Sequence, residues 1–139
     1  MHDQPVFIVH NLKHALCVAQ ASMQTQISAL LFSPRGAANS LGPEVFSSVI
    51  KAANEHYPDA KLIGVLDCAD NAGSALGAIR RGAPHISVQL EAPAYEKIID
   101  IATQSNVSVR KYPENAIDLA KTDTPDQIVL SHLLEYKPT

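Results

Sequence analysis

The chain has 139 residues, a length that fits one domain with a single hydrophobic core. Hydrophobic residues make up 46% of it and charged residues 18%, a globular balance that excludes a disordered composition. The net charge of −3 carries no basic excess, so we expect no nucleic-acid partner and no binding to a membrane surface.

The amino-terminal sequence and the cysteine content lead us to expect a cytoplasmic protein. Residues 1–10 lack the basic region and long apolar run of a signal peptide. No apolar run approaches the roughly 20 residues that a membrane-spanning helix needs. Cys17 and Cys68 are far apart and are expected to be free thiols, and the sequence contains no complete cofactor motif.

Short apolar runs alternate with helical patterns along the chain. The predicted strands are 6–9, 27–32, 62–66, 85–90 and 107–110, and the predicted helices are 12–23, 44–56, 72–81, 94–105 and a turn or two at 115–121. This alternation predicts five consecutive βα units around a mostly parallel sheet. The strand order is left open between a half-barrel and a flavodoxin-like three-layer sandwich.

Cap residues mark several helix ends. Asn11 is expected to cap the first helix, and Asp70 or Asn71 the third, which Gly82 closes. A further helix signal follows residue 121: Thr124 as the cap, Pro125 in the first turn and Gln127 completing a capping box. We therefore expect one α/β domain at 1–121 and, at 122–139, a carboxyl-terminal helix that packs in cis or on a partner subunit. Its apolar residues are Ile128, Val129, Leu130, Leu133 and Leu134.

Ligands of parallel α/β proteins bind at the carboxyl ends of the strands. This rule selects the ends of the five predicted strands, including residues 89–91 and 110–111. Eight of the residues at or near the first three strand ends are the candidate ligand-binding residues: His10, Asn11, Ser33, Arg35, Gly36, Asp67, Cys68 and Asp70. Within the long loop after the second strand, Arg35 offers a fork of N–H donors and Gly36 exposes backbone N–H, which together can hold an anion. The alternative is a solvated loop with its arginine in water.

The residues after the third strand allow several functions. Asp67 could bind a cation, orient a base or accept a phosphoryl group, or it could simply cap the turn, as Asp70 could cap the helix. Cys68 could pair with His10 of a neighbouring strand as a nucleophile, but a free cysteine is usually a small buried residue.

Metal and dinucleotide sites are not expected. His10 and His14 are four positions apart, but His10 should end a strand, so the two do not form a helical metal pair, and no third ligand is evident. Gly73 and Gly77 lie inside a predicted helix rather than opening one, so they do not form a dinucleotide fingerprint. We expect these glycines to allow close packing.

Five phrases occur in order within residues 5–110: PVFIV, ISALLFSPRG, HYPDAKLIGV, SALGAIRRGAPHISV and NVSV. Their order and spacing resemble the first half of a keto-deoxy-phosphogluconate or keto-hydroxyglutarate aldolase, a class I aldolase built as a TIM barrel. The resemblance implies a substrate-contacting arginine at Arg35. It also implies a glutamate at the position where this chain has Leu31. The family's Schiff-base lysine lies on a sixth strand, which this sequence does not predict, and Lys111 does not match that lysine. We therefore expect no Schiff-base aldolase activity.

The five βα units also resemble a response-regulator receiver. In that comparison Asp67 matches the phosphoacceptor at the end of the third strand, and Lys111 matches the lysine that ends the fifth. His10 and Asn11 replace the acidic pair that binds magnesium, so phosphoryl transfer is not implied.

The sequence leaves open whether the protein is an enzyme. The leading hypothesis is a domain that binds a small anionic ligand through Arg35 and neighbouring backbone, with Asp67 facing the ligand and no cofactor. The alternative is a non-catalytic, receiver-like signalling or assembly module. An exposed edge strand and an apolar terminal helix also predict a homodimer.

Overall fold

A computed structural model describes residues 4–136 of the chain; residues 1–3 and 137–139, including the end of the predicted tail segment, lie outside this range. The described chain is an α/β protein with a six-stranded parallel sheet. The strands are β1 (Val6–Ile8), β2 (Ala29–Phe32), β3 (Leu62–Asp67), β4 (His85–Ser87), β5 (Ser108–Arg110) and β6 (Ile117–Asp118). The predicted fold class is therefore confirmed.

Helices follow the strands in the predicted alternation, with one addition: a short helix forms after β2, in the segment predicted to be a loop. They are α1 (Leu12–Thr25), α2 (Ala37–Ser40), α3 (Pro43–His56), α4 (Ala72–Arg80), α5 (Ala94–Gln104) and α6 (Pro125–Glu135), with a 3₁₀ turn at Leu119–Lys121. Within residues 4–136, each helix is too short or too polar to cross a lipid bilayer.

The strand order is β5-β4-β3-β2-β1-β6. The first five strands therefore lie side by side in chain order, as expected when every βα unit steps in the same direction. A flavodoxin-like sheet instead places β1 between β2 and β3. Of the two arrangements left open by the sequence, the sequential one is present.

The sixth strand corrects the sequence prediction. The segment 115–121 was expected to be helical, but Ile117–Asp118 pairs in parallel with β1, with Phe7 opposite Ile117 and Ile8 opposite Asp118. Only the next three residues form a helical turn, which Asp118 caps by accepting a hydrogen bond from Ala120 N–H. A strand of two residues is too short to show the alternating pattern that identifies strands in a sequence.

The chain forms two compact units. Unit 1 consists of Met1–Leu31, Ser48–Ile63 and Glu114–Thr139. Within it α6 packs on α1, so that Val129 and Leu133 of α6 and Val18 of α1 are fully buried. Pro125 occupies the first turn of α6 as expected, but the Thr124 side chain makes no capping hydrogen bond, so the predicted capping box is wrong.

Unit 2 consists of Phe32–Ser47 and Gly64–Pro113. The middle residues of three neighbouring strands, Leu66, Ile86 and Val109, lie in one row and contribute to a core with α4 and α5. The next row contains Asp67, Ser87 and Arg110. Because side chains alternate along a strand, this second row projects from the opposite face of the sheet.

The local geometry settles three predictions about α4 and the residues that flank it. Asn71, not Asp70, caps α4, because its Oδ1 accepts a hydrogen bond from Ser74 N–H at 2.9 Å. Gly82 follows α4 with φ of +84°, a conformation that favours glycine, as predicted. Gly77 is not needed for close packing, because a Cβ atom placed there would meet nothing within 4 Å.

Candidate functional site

Asp67 is the centre of a buried hydrogen-bond network at the carboxyl end of β3. Its Oδ2 accepts backbone N–H groups from Gly36 at 2.7 Å and Ala69 at 3.1 Å, and its Oδ1 accepts the hydroxyl of Ser87 at 2.7 Å. Ser33 accepts the Asp67 backbone N–H at 2.8 Å. Asp67 is only 1% exposed, and hydrogen bonds from the protein replace those that water would give its carboxylate.

This network changes the role expected for the loop after β2. Gly36, with φ of +72°, turns its N–H toward Asp67, so the backbone donor predicted for an external anion is bonded to an internal carboxylate. Asp67 joins the ends of β2, β3 and β4, which is a structural task. The prediction that Asp67 faces a ligand is not supported by its burial.

Arg35 lies at the same edge of unit 2 but remains exposed. Its Nη2 donates to Gln89 Oε1 at 2.8 Å, and its guanidinium carbon lies 4.8 Å from the centroid of the Tyr112 ring. Tyr112 in turn donates its hydroxyl to the Ser33 carbonyl at 3.2 Å and contacts the Phe32 ring edge-to-face. The arginine is therefore held between an amide and an aromatic ring at the carboxyl edge of the sheet.

The other two candidates beyond β3 have no catalytic geometry. Cys68 is fully buried, and its thiol lies 3.9 Å from the Leu66 carbonyl. Burial, with a smaller effect of Asp67, raises the pKa of the Cys68 thiol to about 12, so the nucleophilic thiolate is not formed near neutral pH. Asp70 is exposed in the turn before α4.

His10 and Asn11 lie in unit 1, at the carboxyl end of β1. His10 Nε2 lies 2.7 Å from Asp118 Oδ1, so the ends of β1 and β6 are joined by a histidine–carboxylate pair. Asn11 caps α1, as predicted, by accepting the His14 N–H at 2.9 Å. The pair is partly exposed, with 31% of the His10 side chain and 24% of the Asp118 side chain accessible.

The surroundings shift the pKa values of Asp118 and of the neighbouring His14. Although burial alone would raise the pKa of Asp118, hydrogen bonds from Ala120 N–H and from His10 lower it below its ordinary value. Burial and the neighbouring His10 lower the pKa of His14, whose Nδ1 accepts the His10 backbone N–H at 3.1 Å. Such a hydrogen bond needs an unprotonated Nδ1, so it favours neutral His14.

No group of three or more potential metal ligands occurs among residues 4–136. His14 Nδ1 is already an acceptor for a backbone N–H, and His10 is bonded to a carboxylate.

The structure thus sorts the eight predicted residues into three groups. Ser33, Gly36 and Asp67 are joined in the buried network; Arg35, Cys68 and Asp70 lie in unit 2 outside it; and His10 and Asn11 belong to unit 1. Sequence reasoning missed three residues that complete these arrangements, Ser87, Tyr112 and Asp118, and it named Gln89 only as the end of a predicted strand. All four stand at or beyond the carboxyl end of a strand in the structure, whereas Ser87 fell inside the longer strand predicted at 85–90.

A shallow cavity of about 470 Å³ also occurs in unit 2, beside α2 and α4. Its lining includes Asn39, Ser74, Gly77, Arg80 and Arg81. Asn39 Oδ1 accepts the Ser74 hydroxyl, and Arg81 forms an exposed ion pair with Glu44 at 3.3 Å. The two buried side-chain atoms without a hydrogen-bond partner among the described residues belong to His85 and Arg110, neither of which lines this cavity.

Searches of protein-family models and of curated protein sequences found no match to this chain.

Proposed function

We propose that unit 2 binds a small anionic ligand at the carboxyl edge of the sheet, with Arg35 as its charged contact. The observation that carries this proposal is the exposed guanidinium held between Gln89 and Tyr112. One of its five N–H donors goes to Gln89, and the exposure of the side chain leaves the guanidinium accessible to a ligand. Carboxyl edges of parallel sheets are the usual ligand sites of such folds.

Preorganisation strengthens this proposal. Fixing a free arginine side chain costs up to about 2 kcal/mol in rotamer entropy. Hydrogen bonding to Gln89 and stacking on Tyr112 restrict Arg35 before any ligand arrives, so less entropy is lost on binding. Because Gln89 accepts from Arg35 through Oε1, its NH₂ group is left as a further donor for a ligand.

The binding site is therefore built from side chains rather than from the loop backbone. Gly36 N–H is bonded to Asp67, so we assign it no ligand contact. The ligand is expected to be a phosphate- or carboxylate-bearing molecule, since these planar or tetrahedral oxyanions accept two N–H bonds from one guanidinium.

Titration calorimetry with a phosphosugar and with inorganic phosphate tests this proposal. Replacing Arg35 with alanine should weaken binding by about 1.5–3 kcal/mol, the range for a charge-assisted hydrogen bond. Lys97→Ala removes one exposed positive charge from α5 and serves as the matched control. Equal affinity of the wild type, Arg35→Ala and Lys97→Ala would show that Arg35 is only a surface residue.

We also infer that the chain has no Schiff-base aldolase activity. The sixth strand consists of Ile117 and Asp118 and contributes no lysine, and Leu31 of β2 is a fully buried apolar residue. Borohydride treatment in the presence of pyruvate should therefore leave the mass of the protein unchanged. A stoichiometric adduct on any lysine would contradict this inference.

A second candidate function is a non-catalytic assembly module. It is supported by Leu134 of α6, which is 66% exposed although the inner side of its helix is fully packed. The burial of Asp67 also supports a non-catalytic role, because a phosphoacceptor must be reached by its phosphodonor. If the protein is an assembly module, it should self-associate through Leu134, and its oligomeric state can be measured.

A further inference from the structure

Two buried nitrogen atoms in unit 2 have no hydrogen-bond partner among residues 4–136: Nδ1 of His85 and Nε of Arg110. Buried polar groups in folded proteins are nearly always bonded to protein, to water or to a ligand, so each exception calls for an explanation. The Nε of arginine is always a donor, and it belongs to a group that cannot lose its charge.

Both atoms belong to the same face of the sheet. His85 lies opposite Ser108 in the β4–β5 pair, and Arg110 lies opposite Ser87 two positions further along. All four side chains project from the face opposite the helices, because Ile86 and Val109 between them face the core. Diagonal neighbours on adjacent strands lie within reach of long side chains.

The two charged residues in this row, Asp67 and Arg110, do not form an ion pair. Asp67, in the same row as Arg110, has its carboxylate bonded to two backbone N–H groups and to Ser87 rather than to the arginine. The two ion pairs formed by described residues involve His10 with Asp118 and Arg81 with Glu44. Arg110 is therefore partly buried and forms no ion pair with another described residue, and its buried Nε–H lacks an acceptor.

We propose that His85 and Arg110 form an oxyanion site on this face of unit 2, in which Arg110 Nε–H and His85 Nδ1–H donate to one small phosphate or carboxylate group. The site is distinct from the exposed guanidinium of Arg35 and does not depend on it.

The electrostatic surroundings of His85 agree with this arrangement. Burial and, to a smaller extent, the charge of Arg110 lower the pKa of His85 below its ordinary value. The neighbouring strands place Arg110 of β5 and Asp67 of β3 on the same face as this ring. A bound oxyanion would oppose the effect of Arg110 and favour the tautomer that carries hydrogen on Nδ1.

Nitrogen-15 NMR of the full chain observes this site directly. Inorganic phosphate, added at constant ionic strength against chloride, should shift the His85 Nδ1 and Arg110 Nε resonances in a saturable way and raise the pKa of His85. A parallel titration with acetate separates the two ligand sources: a response to phosphate alone identifies a phosphate site, and a response to both identifies a general oxyanion site.

Variants make the assignment specific. Arg110→Met keeps the apolar stem but removes the donors, so it should weaken the phosphate response of His85 at least tenfold. Arg80→Met removes an exposed arginine of α4 and should leave that response unchanged. Titration in an Arg35→Ala background isolates the inner site, so failure of the Arg35 proposal and failure of this one are separate results.

Two outcomes would overturn the site. One is the absence of a saturable shift at His85 and Arg110 in the wild type with either anion, which would mean that water satisfies these atoms. The other is an equal phosphate response in the wild type and Arg110→Met. The wild-type titration needs no variant, so the inference stays testable even if Arg110→Met does not fold.

Discussion

Ser87 donates its hydroxyl hydrogen to Asp67 Oδ1 across 2.7 Å, and both side chains are almost completely buried. Together with the N–H groups of Gly36 and Ala69, this bond gives the carboxylate three donors from three segments of unit 2. The sequence placed Asp67 among the candidate ligand-binding residues. In the structure its carboxylate accepts hydrogen bonds that join the ends of neighbouring strands.

Replacement of Asp67 by asparagine should destabilise the fold. The single acceptor oxygen of asparagine can face the N–H donors of Gly36 and Ala69, but its NH₂ group then faces the Ser87 hydroxyl, which loses its acceptor, and the remaining bonds are no longer charge-assisted. We expect a loss of about 1–3 kcal/mol in the free energy of unfolding, measured by urea denaturation. Asp70→Asn makes the same change at an exposed site and should stay within about 0.5 kcal/mol of the wild type. Equal stability of the two variants would argue against a structural role for Asp67.

The thiols should differ in reactivity according to their burial. Cys68 is fully buried with a pKa raised to about 12, whereas Cys17 on α1 is partly exposed. Iodoacetamide at mildly alkaline pH should therefore modify Cys17 first in the native protein and reach Cys68 only when the chain opens. Peptide mass spectrometry with and without denaturant measures both sites. Rapid native alkylation of Cys68 would restore the nucleophile hypothesis.

The helices and strands were largely predictable from local sequence, whereas the contacts between residues far apart in the chain were not. The apolar runs VFIV and LIGVL and the caps Asn11 and Gly82 act within a few residues, so they can be read directly. By contrast, His10 and Asp118 are 108 positions apart and meet only because β6 pairs with β1. Likewise, the unpartnered atoms of His85 and Arg110 follow from strand register, which no single segment encodes.

Acid should weaken the link between β1 and β6. The pKa of Asp118 is lower in the folded protein than its ordinary value, so its contribution is present above the unfolded value of about 3.9 and is lost as pH falls through the folded pKa. Asp118→Asn should therefore cost about 0.5–1.5 kcal/mol at neutral pH, with the difference from the wild type shrinking below about pH 4. Denaturation across this range tests it, with exposed Asp123→Asn as the control. A difference that stays constant with pH would show that ionised Asp118 does not act in this way.

Self-association, if it involves α6, must use the outer side of that helix. Val129 and Leu133 are fully buried in unit 1, where α6 packs on α1 of the same chain, while Leu134 is 66% exposed. We expect a homodimer at micromolar concentration in which Leu134 is buried between subunits. Leu134→Glu should then weaken dimerisation at least about tenfold with little change in monomer stability, because the new carboxylate would have to be desolvated at the interface.

Analytical ultracentrifugation over a concentration series measures this dimerisation. Leu41→Glu changes another exposed leucine, which is 54% exposed and lies in unit 2, and should leave the dimer intact. Leu133→Ala tests the opposite side of α6 and should lower the stability of the monomer by about 2–5 kcal/mol, because it removes a fully buried side chain. If the wild type has the mass of a monomer at every concentration, the dimer prediction is wrong. The role of α6 would then be limited to packing on α1. Dissociation by Leu41→Glu but not by Leu134→Glu would instead assign the interface to unit 2.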